Sequence, residues 1–180
     1  MQEQATIREA VGVFDDRKLL YAAIAELENT AFPRQDISVL GGPHNVEKEF
    51  GAPAVNPLLV EDNPDAPRVA PIRPEEKALG AAVLVGGAAY FGGCAAAIMS
   101  ASSSDWQLLT AITIGSAIGA IAGTSVAFAI GALMDRRIKN QIKKGGLVLW
   151  VRTPGPNRER LAREILRKYG GRDVHIHDIN

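Results

Sequence analysis

Two stretches in the middle of the chain decide how the rest is read: ALGAAVLVGGAAYFGGCAAAIMSA, residues 78–101, and WQLLTAITIGSAIGAIAGTSVAFAIGALM, residues 106–134. From Ala78 to Ser104 only Tyr90 and Cys94 can ionise, and from Trp106 to Met134 nothing can. A helix needs roughly 20 apolar residues to cross the hydrocarbon of a bilayer, and each run is longer than that. Ser102-Ser103-Ser104-Asp105 supplies a polar turn between them, and Trp106 stands where an interfacial aromatic is expected. The two runs read as a transmembrane helical hairpin over residues 78–134. It is no signal peptide, because the N-terminal residues have no apolar core and the hairpin lies in mid-chain. A soluble alternative, with both runs buried in a globular core, rests on the small side chains that make the first run only marginally hydrophobic.

The flanking charges give the hairpin an orientation. The chain has 180 residues with 20 basic and 20 acidic side chains, so its formal charge is zero. That neutrality hides an acidic first part and a basic last part, residues 135–180 carrying 12 Lys and Arg against 5 Asp and Glu. Arg68, Arg73 and Lys77 precede the first run, Arg136, Arg137, Lys139, Lys143 and Lys144 follow the second, and the short turn has neither Lys nor Arg. The positive-inside rule then puts both termini in the cytoplasm and the turn outside. Arg136, Arg137, Lys143 and Lys144 are the residues expected to contact lipid headgroups, each worth about 1 kcal/mol near an anionic surface.

The hairpin is rich in Ala and Gly. Gly115, Gly119 and Gly123, continued in register by Ala127 and Gly131, make one nearly smooth helix face along which another backbone can approach. The first run has a similar stripe at Ala89, Gly93 and Ala97. Gly115, Gly119, Gly123, Gly131 and Gly93 are therefore the expected helix-packing residues, either within one hairpin or between chains of a homo-oligomer. No charged residue lies inside the runs, so an ion path has no support.

Outside the hairpin the chain repeats one plan. Ile7, Val11, Val13 and Phe14 form an apolar run, and Asp15-Asp16 can cap a helix in which Leu20, Ala23, Ile24, Leu27 and Ala31 recur at helical spacing. Phe32-Pro33 ends it, and Asp36–Leu40 is a second strand. Leu147–Val151, a helix face of Leu161, Ile165, Leu166 and Tyr169, and an alternating strand Asp173–His177 repeat the pattern. Two βαβ units most simply make an α+β, ferredoxin-like sheet covered on one face by two helices. A hairpin whose ends lie together can interrupt that fold between its second and third strands. The expected organisation is a first βαβ half at residues 1–42, a Pro-rich tether at 43–77, the hairpin at 78–134 (78–101 and 106–134), and a basic juxtamembrane segment with the second βαβ half at 135–180. Seven of the ten prolines fall in residues 41–77, which read as an extended tether with at most a short helix around Val46–Phe50.

Val11-Gly12-Val13-Phe14-Asp15-Asp16, Ala22–Leu27 and Phe32–Leu40 resemble the N-terminal unit of bacterial general-stress-protein-like domains. The whole layout is similar to uncharacterised bacterial inner-membrane proteins that carry a glycine-zipper hairpin between two halves of a small α/β domain. That resemblance implies a membrane location and an association with stress, and it supplies no catalytic residues.

The chain carries few residue patterns suited to chemistry. One cysteine excludes a disulfide framework, and Cys94 reads as a packing residue within the bilayer. The Gly-Gly pairs lack the strand and the Lys-Ser/Thr that a phosphate loop requires. Asp15-Asp16, Glu61-Asp62 and Glu75-Glu76 read as solvated pairs. His175 and His177, two apart on a strand, share a face, but a third ligand is missing unless Asp178 or His44 folds in. No catalytic residue, metal or cofactor is therefore expected. Trp150 alone on a strand lacks the aromatic-basic pattern of RNA recognition, so nucleic acid is not an expected partner. The reading is a non-enzymatic membrane protein, structural or adaptor-like, with membrane lipid, a second copy and a cytoplasmic protein as partners. The alternative is a membrane-tethered sensor whose α/β domain binds a small ligand or metal.

Overall fold

Strand and helix boundaries follow the apolar periodicities closely. In the computed structural model, which describes residues 7–101 and 104–179, the chain is α+β and forms two compact units, Met1–Pro71 with Arg136–Asn180, and Ile72–Asp135. The first unit contains β1 (Ile7–Phe14), α1 (Arg17–Thr30), β2 (Ile37–Leu40), α2 (Pro43–Phe50), β3 (Arg68–Val69), β4 (Leu147–Arg152), α5 (Pro156–Lys168) and β5 (Arg172–Ile179). Its five strands form one sheet in the order β3-β2-β4-β1-β5, with every neighbouring pair antiparallel. β1 and β2 therefore run parallel to each other on either side of β4, and β4 and β5 run parallel on either side of β1.

Successive residues of a strand point to opposite faces, so β1 and β4 can be read face by face. Ala10, Phe14, Leu149 and Val151 join Leu20, Ala23, Ile24 and Leu27 of α1 and Ala162, Ile165 and Leu166 of α5 in one buried cluster. The Asp16 carboxylate accepts from Lys18 N at 2.6 Å and starts α1, as expected for its position. Val11, Val13, Val148 and Trp150 point to the other face, where they meet Val46, Val55, Val60 and Ala66.

This second cluster corrects the expectation of an extended tether and of a sheet covered on one face only. Residues 43–69 fold onto the sheet as α2, a 3-10 turn at Pro57–Leu59 and the edge strand β3. The physical reason is burial: Val46, Val55, Val60 and Ala66 are all at most 6% exposed, and the Trp150 indole donates to the Glu61 carbonyl at 2.8 Å. Each buried valine contributes on the order of 1.5–3 kcal/mol relative to an exposed one. A prolyl segment that contributes several of them therefore stays on the sheet. Arg68 lies over the Trp150 ring, 4.9 Å from its centre, and pairs with the buried Glu9.

The second unit contains α3 (Pro74–Met99) and most of α4 (Asp105–Lys143). Both helices run beyond the expected spans, α3 taking in Glu75, Glu76 and Lys77 and α4 continuing through Arg136, Arg137 and Lys139. The segment after Met134 is thus helical as far as Lys143. Ser102 and Ser103 of the expected turn lie outside the described residues. At a rise of 1.5 Å per residue α3 is about 39 Å long and α4 about 58 Å. Each is long and apolar enough to cross a membrane.

The last residues of α4 belong to the α/β unit. There the buried Gln141 amide accepts from Val55 N at 3.2 Å and donates to Val55 O at 2.8 Å and Gly146 O at 3.0 Å. Gly146 turns the chain from α4 into β4 at φ 129°, where a Cβ would sit 2.6 Å from Val13 Cγ1.

Candidate functional site

In the helical unit the glycines act by having no side chain. A Cβ built on Gly115 would overlap the carbonyl of Gly92, one on Gly119 the backbone of Ala88, and one on Gly123 would sit 2.9 Å from Leu84 O. Gly93 faces Ser116 Oγ across the same seam. Four of the five expected packing glycines therefore lie between α3 and α4 of one chain. Gly131 does not: nothing comes within 4 Å of where its Cβ would be. Large apolar side chains instead point outward, with Phe91 73%, Ile98 77%, Met99 87% and Phe128 79% exposed. A soluble core would cover them, so the reading of these helices as buried core helices finds no support.

Cys94 is partly buried in α3. Arg136, Arg137, Lys143 and Lys144 are all exposed. Arg136, Arg137 and Lys143 stand in the last turns of α4 and Lys144 just after it.

The α/β unit holds a cluster that no local pattern predicted as a unit. Glu61, Asp173 and His175 each offer a ligand-type atom, and the three atoms lie within 4.8 Å of one another. His175 and His177 stand on β5, opposite Val11 and Glu9 of β1. Asp173 lies in the irregularity between the Val11 and Val13 pairings, with φ 50°, an unusual conformation for a residue other than glycine. Glu61 and Asp62 come from the chain that covers the second face of the sheet. The expectation of a solvated pair is corrected: Asp62 is exposed, but Glu61 is 5% exposed because the Trp150–Glu61 hydrogen bond holds its backbone against the sheet.

His175 Nδ1 lies 2.7 Å from the Asp173 carbonyl, which can only accept, so Nδ1 carries a proton and Nε2 is left for other chemistry. Nε2 faces Asp62 Oδ1 at 2.9 Å, and His177 Nδ1 faces the same oxygen at 3.1 Å. Burial by itself lowers the His175 pKa, and the Asp62 carboxylate, the Asp173 carbonyl and the Glu61 charge together outweigh it and raise the value. The Glu61 carboxyl is raised, first by burial and then by the neighbouring Asp173, with His175 opposing. Glu61 Oε2 is shielded from water with no hydrogen-bond partner, and so is His177 Nε2.

Neither of the other ligands considered from sequence joins this group. Asp178 accepts from Arg8 Nε at 2.8 Å, and His44 sits exposed on α2. The His175/His177 pair was visible in the alternation of β5. Asp173 stands on the same strand, but Glu61 and Asp62 depend on the Pro-rich segment folding back over more than a hundred residues of sequence, for which no local signal exists. No protein-family model matches the chain, and neither a curated protein nor a solved structure matches it.

Proposed function

We propose that this chain is a non-enzymatic structural or adaptor protein anchored in a bacterial inner membrane, with α3 and α4 crossing the bilayer as a glycine-packed hairpin. The observation that carries this reading is the inside-out distribution of side-chain size in the hairpin. Gly92, Gly115, Gly119 and Gly123 face the partner helix, while Phe91, Ile98, Met99 and Phe128 face outward. Lipid tails give no hydrophobic drive between helices, so small residues that allow close backbone approach are what holds such a pair together. The basic residues around the end of α4 and the lack of Lys or Arg between residues 100 and 105 support cytoplasmic termini, with Arg136, Arg137, Lys143 and Lys144 at the headgroups.

The α/β unit is read as a ferredoxin-like arrangement, on the order β2-β4-β1-β5 with α1 and α5 against one face, extended by β3 at the edge. In this proposal it meets a cytoplasmic protein partner, and the association with stress implied by the resemblance attaches to that role. Self-association as a homo-oligomer would use surfaces other than the glycine seam, since the hairpin itself occupies it. Alkaline extraction of bacterial membranes containing the full chain tests the anchor. Retention in the pellet is expected, and release into the supernatant would contradict it. A second reading, a membrane-tethered sensor, is favoured by the buried Glu61 beside His175.

A further inference from the structure

We propose that Glu61, Asp173 and His175 form a site for one divalent transition-metal ion of the zinc class, the ion taking over at His175 Nε2 the place that Asp62 Oδ1 holds at 2.9 Å. The inference deepens the sensor reading and rests on it for its role in signalling, whereas binding itself does not depend on the membrane hairpin.

Three observations carry it. The first is geometric. Ligand atoms held about 2.0–2.2 Å from one ion lie up to about 4 Å apart, so atoms within 4.8 Å reach an ion by closing roughly an ångström. The second is electrostatic. Glu61 and Asp173 are neighbouring carboxylates with Asp62 beside them, and among the described residues no Lys or Arg forms an ion pair with any of the three.

The third observation is independent of the acidic cluster as such. Glu61 is 5% exposed, and its Oε2 has neither solvent nor donor. A buried carboxylate oxygen left unpaired destabilises the fold, a penalty that a bound cation removes.

The donor set names the class of ion. One imidazole with two carboxylates suits zinc, manganese, iron, cobalt or nickel, while magnesium and calcium prefer oxygen alone. The Nδ1–H of His175 on the Asp173 carbonyl is the outer-sphere hydrogen bond that fixes the tautomer of a metal-bound histidine through Nε2.

The test uses the full chain in detergent micelles, stripped with a chelator, and measures zinc by competition against a chromogenic chelator with magnesium as the control ion. One zinc per chain is expected, with no competition from magnesium. Glu61→Gln and His175→Gln are each expected to weaken zinc binding at least about tenfold. Asp65→Asn, on the same loop but outside the cluster, should bind as the parent does. Should Glu61→Gln fail to fold, the exposed Asp173→Asn carries the same expectation. Less than a fifth of an ion per chain, or equal affinity in the parent and the folded cluster variants, overturns the site while leaving the membrane anchor intact. Stoichiometric binding that leaves the thiol labelling of a Ser104→Cys hairpin unchanged upholds the site and overturns the sensor reading alone.

Discussion

The two units of this protein bury their interfaces by opposite means. In the α/β unit large side chains fill both faces of the sheet, with Trp150 and Phe14 fully buried and Leu149, Val151, Val11 and Val148 around them. In the hairpin the seam is made by side chains that are missing, and the large residues face away. Water drives the first arrangement through burial of apolar area. In the bilayer proposed for it the second has no such drive and relies on close van der Waals approach of two backbones. The two interiors should therefore fail under opposite substitutions, large-to-small in one and small-to-large in the other.

Trp150→Ala should break the α/β side of this contrast most severely. It removes a fully buried ring, the cover on the second face and the hydrogen bond to Glu61, at a cost of about 3–5 kcal/mol. Denaturant titration followed by far-UV circular dichroism in detergent checks it. Gly119→Leu should break the hairpin side, since the added side chain meets the Ala88 backbone, which cannot rotate away. Overpacking of that kind costs about 1–3 kcal/mol or more. Resistance of the helices to unfolding by sodium dodecyl sulfate, followed by far-UV circular dichroism in mixed micelles, should fall in the Gly119→Leu variant and persist in Gly131→Leu, whose position is open.

Gln141→Leu sharpens the comparison at the end of α4. It leaves Val55 N, Val55 O and Gly146 O without their buried partner, a loss of about 1–3 kcal/mol seen as a lower thermal midpoint of the α/β unit. The smallest effect belongs to the bridge between α1 and α5. Lys168 Nζ lies 2.8 Å from Glu26 Oε1, and Tyr169 donates to the same carboxylate. These hydrogen bonds, that of Lys168 first, hold the Glu26 carboxyl below its ordinary range. A carboxyl lowered on folding stabilises the fold above its unfolded pKa, and that share is lost as pH falls through the folded value. Glu26→Gln should thus melt slightly earlier than the parent at neutral pH, with the gap closing in acid.

Much of the architecture was legible because it is local. The 3.6-residue recurrence of Leu20, Ala23, Ile24 and Leu27 and the alternation through His175 and His177 follow from periodicity, and the uncharged runs marked the hairpin. The cover over the second sheet face was missed because Val46, Val55, Val60 and Ala66 follow no regular period among the prolines. Yet a signal existed. Val148-Leu149-Trp150-Val151 is apolar at every position, and a strand facing water on one side would alternate. An unbroken apolar strand asks for cover on both faces, and residues 43–69 are what remains to provide it. The Glu61 cluster followed the same course, since Asp173 and the histidines share one strand and Glu61 and Asp62 arrive only through that cover.

The most direct test of the central claim, that α3 and α4 are a bent-back pair within a bilayer, is thiol labelling in sealed inner-membrane vesicles and in intact spheroplasts. In a Cys94→Ala background, Ser104→Cys and Lys144→Cys are each exposed to a membrane-impermeant reagent. The account predicts that Ser104→Cys labels only in spheroplasts and Lys144→Cys only in inverted vesicles. Labelling of both positions from the same side, or recovery of the chain in the soluble fraction, would contradict it.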